Sequence, residues 1–264
     1  MNKILKITEN IFRQTCVYKD IFTTIYLIKT DKGAMLFDAA SYDSDVEEYI
    51  IPLLDEAGVE KSELKYVFIS HAHADHAGAL AHLVELLPDI TILSRSENIA
   101  AQYENCKLIC PQDGDVFLDV CKVVAIPGHT ADSAAILDMR SNLMITGDSL
   151  QLYGIFGSGD WMANIGLVPE HLKAIERLRA LDVETVCTAH DYHPYGWKYT
   201  GKEAISKALD ACIEPLKMIA ELIRQHSGCD DETIREIFNS SQKLPTVGCG
   251  VIASVRKTME DGML

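Results

Sequence analysis

A layered α/β architecture, in which helices cover β-sheets, is predicted by three features of this 264-residue chain. The opening is rich in hairpin signals, apolar runs alternate with helical stretches from about residue 60, and the texture turns helical from about Tyr195. With 48% hydrophobic residues, a chain of this length can fill a sizeable core and fold without covalent staples.

The elements follow in order. Ile21–Thr30 and residues 34–37 flank Asp31, Lys32 and Gly33, a hairpin turn sequence. Residues 43–54 read as an amphipathic helix closed by Gly58, 66–69 as a strand, 77–87 as a helix and 90–93 as a strand. Strands are expected at 116–118, 121–126, 134–137 and Leu143–Ile145, then a helix over 169–181 and a strand over 185–188. Lys202–Gln225 carries Ile205, Leu209, Ile213, Leu216, Ile219 and Ile223 at helical spacing, with Pro215 expected to kink or split it. Asp230 and Asp231 offer an acidic N-cap for another helix, and a last one covers 251–259. These assignments divide the chain into a larger unit over 1–194 and a helical subdomain over 195–264.

Charge narrows the partners. Lys and Arg number 24 against 39 Asp and Glu, a net charge of −15, which argues against nucleic acid or an anionic membrane surface as partner. The first residues lack an apolar signal core, and no run approaches the roughly 18 apolar residues of a membrane span, so a cytoplasmic location is expected. The eight cysteines are scattered and read as reduced, small hydrophobes; Cys106 and Cys110 lack the second pair that a zinc knuckle requires.

The densest chemistry lies at residues 71–76, His-Ala-His-Ala-Asp-His, just after the apolar stretch that ends at Ser70. Imidazole and carboxylate are favoured ligands for zinc and similar divalent ions. The small spacers Ala72 and Ala74 let His71 and His73 point one way, while Asp75 and His76 project from the next helix start. Three further ligand-type residues, His129, Asp148 and His190, each fall just past an apolar strand, where loops can converge on a shared site.

The order His-x-His-x-Asp-His (71–76), Pro-Gly-His-Thr (127–130), Thr-Gly-Asp-Ser (146–149) and a late His190 resembles the metallo-β-lactamase superfamily. The resemblance covers roughly residues 1–194 and implies an αββα sandwich with a dinuclear site at one edge, followed here by a C-terminal helical appendage. It further implies that His71, His73 and His129 hold one metal and Asp75, His76 and His190 the other, with Asp148 bridging both. Asp38 resembles a carboxylate that supports the ligands from behind. Zinc is the first choice, and iron or manganese suits the same ligands. Two such ions lower the pKa of a shared water, which implies hydrolysis by hydroxide without a Ser or Cys nucleophile, with Asp75 orienting the attack.

Asp148 and the segment His190-Asp191-Tyr192 resemble the glyoxalase II branch, whose members hydrolyse thioesters, and imply that Tyr192 lines the substrate pocket. The loop from Gly154 to Trp161 departs from that branch, so glutathione is not implied. Phe156 and Trp161 on this glycine-rich loop suit a lid over an apolar small-molecule substrate, and His193 suits a proton donor. The expected activity is hydrolysis of a small thioester, ester or lactone. The alternative is a phosphodiesterase or endoribonuclease of the same superfamily, whose winged-helix appendage residues 231–262 faintly resemble. The sequence sets no oligomeric state.

Overall fold

The computed structural model describes residues 4–151, 163–192, 196–241 and 246–264. Its strands form two sheets. The first runs in sequence order through β1 (Leu5–Lys6), β2 (Ile11–Tyr18), β3 (Ile21–Thr30), β4 (Gly33–Phe37), β5 (Leu64–Ile69), β6 (Thr91–Ser94) and β7 (Leu108–Ile109). The second contains β8 (Val116–Phe117), β9 (Cys121–Ala125), β10 (Ala134–Asp138), β11 (Leu143–Ile145), β12 (Thr185–Tyr192) and β13 (Gly196–Thr200), in spatial order β13-β12-β11-β10-β9-β8.

Side-chain alternation turns these sheets into a sandwich. Tyr26, Ile28, Met35, Phe37 and Phe68 of the first sheet pack against Val123, Ile136, Leu143, Ile145 and Cys187 of the second. On the outer face of the first sheet, Ile25, Leu27, Leu36 and Val67 meet α1 (Ile51–Ala57), α3 (Leu80–Leu86) and α4 (Glu97–Gln102). On the outer face of the second, Val124, Ala135 and Met144 meet α5 (Val168–Ala180) and α6 (Lys202–Gln225). The C-terminal half of α6 joins α7 (Asp231–Ser241) and α8 (Cys249–Glu260) in a further apolar cluster with Ile165 and Val168. The expected αββα sandwich with C-terminal helices is therefore present. No helix among the described residues is long and apolar enough to cross a membrane.

Several elements differ from the sequence reading for identifiable reasons. The helix expected over 43–54 begins as a π-turn, Val46–Ile50, with the Ile51 N–H bonded to Val46 O five residues back. Pro52 has no N–H with which to continue an ordinary ladder, so the α-helical stretch starts beside it. The helix expected over 77–87 is divided into α2 (Ala74–Ala77) and α3 at Gly78, whose N–H is shared between Ala74 O at 2.9 Å and Ala40 O at 3.0 Å. Pro215 does not split α6: its two halves are fixed by burial in different cores. The strand expected to stop at 188 runs on to Tyr192, and His190 therefore lies within β12 rather than past its end. The β12–β13 register shifts between Cys187 and Tyr192, which frees the intervening residues from the ladder. Sequence reading passed over β2, α4 and β13, the last of which extends the second sheet beyond residue 195 before the helices begin.

Candidate metal centre

Four chain segments meet at one edge of the sandwich. β5 ends at Ile69; after Ser70, His71 and His73 emerge and the short α2 presents Asp75 and His76. His129 follows β9, Asp148 follows β11, and the irregular part of β12 supplies His190. Two close approaches hold these segments together. A Cβ on Gly78 would lie 2.0 Å from Ser41 O, so the 74–78 turn seats against the 38–41 loop only with glycine there. Gly147 has φ +55°, and a Cβ on it would lie 2.7 Å from Ser70 Oγ.

The ligand-type atoms form two groups, His71, His73 and His129 in one, and Asp75, His76, Asp148 and His190 in the other, with the atoms of each group within 4.8 Å of one another. His73 Nδ1 lies 3.0 Å from His71 Nε2 and 3.0 Å from His129 Nε2. In the second group, Asp75 Oδ2 is 3.3 Å from both His76 Nε2 and His190 Nε2. Asp148 spans the two: its Oδ1 is 3.4 Å from His76 Nε2 and 3.2 Å from His190 Nε2, and its Oδ2 is 3.7 Å from His129 Nε2.

The outward nitrogens are held by other partners. His129 Nδ1 donates to Asn164 O at 2.6 Å and His190 Nδ1 to Phe22 O at 2.7 Å. His76 Nδ1 donates to Asp38 Oδ2 at 2.7 Å. Ser70 Oγ, 3.0 Å from His71 Nδ1, donates to Asp38 Oδ2 at 3.0 Å, and Ser70 N–H donates to Asp38 Oδ1 at 2.7 Å. A carbonyl or carboxylate partner fixes the proton on Nδ1, so each inward Nε2 presents a lone pair.

Lone pairs about 3 Å apart repel unless they share a cation, and a tetrahedral ion with about 2.0–2.3 Å bonds sets ligand atoms roughly 3.4 Å apart. The measured separations fit that requirement. Asp148 Oδ1 and His76 Nε2 are, in addition, buried without a hydrogen-bond partner. Electrostatics agree: burial opposes charge on His190, yet Asp148 and Asp75 push its pKa up to about 10. Burial likewise opposes ionisation of Asp148, but His190 and His76 hold its carboxyl well below the usual range. The residues therefore fit a divalent metal site with nitrogen and oxygen donors.

Asp38 is fully buried and adopts a left-handed backbone, φ 62°, beside Ala40 at φ 59°. Its two oxygens gather Ser70 and His76, and so tie β4 to the histidine turn. Sequence reasoning missed Gln151. Its Nε2 donates to Asp148 O at 2.8 Å, and its Oε1 accepts from Asn164 N at 3.0 Å, so it links the Asp148 turn to the carbonyl that orients His129. Nothing in the local pattern marks it, because both partners are set by tertiary folding.

A cleft of about 290 Å³ opens over the ligands, lined by Tyr18, Ile21, His73, Asp75, Asn164 and His190 among others. Tyr192 is not in that lining. It is 1% exposed within the apolar layer between the second sheet and its helices; its hydroxyl accepts from Gln151 Nε2 at 3.4 Å, and its ring meets that of His190 edge-on at 6.2 Å, so it backs the site rather than facing the cleft. Phe156, Trp161 and His193 lie outside the described residues.

Comparison with known proteins agrees with this geometry. The family model for the metallo-β-lactamase superfamily matches residues 18–103. A hydroxyacylglutathione hydrolase of Thermosynechococcus vestitus is 30% identical over 159 residues, 58% of this chain and 59% of the relative. An atrochrysone carboxyl ACP thioesterase of Emericella nidulans is 23% identical over 224 residues, 81% of this chain and 69% of the relative. A lactamase-like protein of Pestalotiopsis microspora matches at 26% identity over half of this chain, which spans only 40% of that relative. Among solved structures, a metallo-β-lactamase from Hirschia baltica superposes with a TM-score of 0.61 at 17% identity, covering 80% of this chain and 97% of the other. A flavo di-iron protein from Thermotoga maritima gives 0.64 at 16%, covering 81% and 62%. At such identities the two structures report the shared fold alone.

Proposed function

We propose that this chain, which the family model of the metallo-β-lactamase superfamily matches over residues 18–103, is a metal-dependent hydrolase of that superfamily acting on small thioesters, esters or lactones. One observation carries the reading: seven inward ligand-type atoms fall into two groups that Asp148 joins, and five of these residues, His73, Asp75, His129, Asp148 and His190, line a cleft together with Tyr18 and Ile21. When bound there, two divalent ions, zinc first among the candidates, would activate water and polarise a carbonyl oxygen.

The remaining work belongs to the protein. Tyr18, whose ring lies 6.0 Å from Tyr42, and Ile21 form an apolar wall against which an acyl chain packs and from which water is excluded. Asp75 lines the cleft, and its neighbours keep it ionised: burial disfavours the charge, but His76 and His190 outweigh it. That carboxylate accepts a hydrogen bond from the attacking water and so orients it, and the water's proton passes to the departing group. The water oxygen bonds to the carbonyl carbon, the carbon–sulfur or carbon–oxygen bond breaks, and the departing thiol or alcohol takes a proton. Asp38, Ser70, Gln151 and Asn164 act by holding ligands in place. The acid-rich composition counts against nucleic acid as substrate.

The reading is tested by screening metal-analysed protein against thioesters, lactones, phosphodiesters and short RNA, with His76→Ala as blank. Cleavage of carbonyl substrates by the parent alone is expected. Parent-only cleavage of phosphodiesters or RNA would overturn it in favour of a nuclease.

A further inference from the structure

The cleft over the ligands is not the only cavity that reaches the centre. A second one, of about 530 Å³, also has His73 in its wall, together with Arg95, Asn98, Thr130 and Asp132. His73 is the one residue lining both, so the two cavities flank the metal ligands, and neither the sequence motif nor the proposed chemistry uses the second.

Arg95 stands in the turn between β6 and α4 and is half-buried. Its Nη1 donates to Pro111 O at 3.0 Å, which fixes the side chain against the neighbouring loop. Its Nε is buried without a partner, and no ion pair involves it among the described residues. That is unusual in a chain with 39 acidic residues and a net charge of −15, where carboxylates are plentiful. The guanidinium is thus anchored, and its Nη2, which makes no hydrogen bond among the described residues, is the donor left for a carboxylate in the cavity. Asp132 and the exposed Glu97 line the same cavity, and their negative charge disfavours a dianion such as a phosphate monoester. Against that lining a carboxylate, with one charge, is opposed less than a dianion.

We propose that this second cavity binds a carboxylate-bearing arm of the substrate, with Arg95 as the residue that selects it. The proposal rests on the acyl-hydrolase reading, in which the scissile bond lies at the metals and the two halves of the substrate extend into the two cavities.

The test uses two series of thioesters of increasing chain length: acetyl esters of mercapto-carboxylic acids, and methyl thioesters of dicarboxylic acids. Each acid is paired with its primary amide. In at least one series the metal-loaded parent should cleave the acid with a kcat/KM at least about tenfold above its amide, mostly through KM. Arg95→Gln should bring the kcat/KM of the acid down to that of its amide, and Arg95→Lys should keep part of the preference. Equal rates for acid and amide in both series, or a preference that survives Arg95→Gln, would overturn the proposal while leaving the hydrolase reading intact. If no thioester is cleaved, the hydrolase reading is what fails, and calorimetry with glutarate and its monoamide decides the cavity separately. Glutarate should then bind the parent at least about tenfold more tightly than the monoamide and lose that margin in Arg95→Gln; equal affinities would refute it.

Discussion

Replacing Asp38 separates the stability of the fold from the readiness of the centre. In Asp38→Ala, Ser70 N–H and His76 Nδ1–H, which now donate to the carboxylate at 2.7 Å each, are left buried without an acceptor. Two such donors cost about 1–3 kcal/mol each, so a loss of about 2–6 kcal/mol is expected. Asp38→Asn behaves differently. The backbone N–H of Ser70 can only donate, so the amide oxygen must stay on its side and the NH₂ must face His76. His76 Nδ1 then becomes an acceptor and its proton moves to Nε2, the atom that faces Asp75 and Asp148. The Asn variant should therefore keep most of the stability yet bind zinc about 10–100-fold more weakly, a difference of about 1.4–2.7 kcal/mol. Urea unfolding measures the first quantity, and competition with a chromophoric chelator the second. Parent-like zinc affinity in Asp38→Asn would refute the tautomer argument, whatever the stability shows.

Other perturbations follow from the same geometry. Gln151→Ala cuts the link between Asp148 and Asn164 and should weaken metal binding about tenfold with little loss of fold, read by chelator competition and by the visible spectrum of the cobalt-loaded protein. His171 is fully buried, and burial, with a contribution from His129, lowers its pKa from 6.5 to about 4. The unfolded chain thus binds more protons between these values, so the stability difference is absent at neutral pH and grows as pH falls. About 2 kcal/mol should be lost by pH 5, and His171→Leu should flatten the stability–pH curve by that amount; parallel curves for parent and variant would contradict it. Gly78→Ala places a Cβ where Ser41 O already sits and should lower stability by more than about 3 kcal/mol, seen as loss of soluble protein or a lowered Tm. Stripping divalent ions with EDTA should lower Tm, and restoring zinc at about 1,000 times its Kd should return about 4 kcal/mol.

The candidate ligands stood out in the sequence because the histidine cluster is contiguous and His129, Asp148 and His190 each lie close to a recognisable apolar strand. Core strands such as β3 and β5 declared themselves for the same reason: continuous apolar runs mark strands buried on both faces. β2 was missed because Arg13 and Gln14 interrupt its apolar run, although both are buried, Arg13 with its guanidinium 4.0 Å over the Trp197 ring. β13 carries that tryptophan and was hidden by the helical texture just beyond it. Placing His190 past a strand end failed because a bulge lets a strand continue while releasing its residues, which no local pattern announces. Gln151 and Asn164 were invisible for a more general reason: their importance lies in which distant atoms they join.

Several departures from ordinary folding rules fall at the centre. Asp38 and Ala40 hold left-handed backbone angles, Asp148 Oδ1 and His76 Nε2 are buried without partners, and Gly78 and Gly147 leave no space for a side chain. Each is unfavourable on its own terms, by about 1–3 kcal/mol for strained backbone and by a similar amount for an unpartnered buried polar atom. None would persist on a surface free to relax. They persist here because a two-sheet core, continuous from Tyr26 and Phe68 to Ile136 and Cys187, fixes the strand ends from which the ligands depart. The sandwich sets the distances, and the outward partners Asp38, Ser70, Asn164 and the Phe22 carbonyl set the direction of each lone pair. On the proposed function, a site preorganised in this way would not have to be assembled by its ions, and their binding energy would remain available for activating water and polarising the substrate.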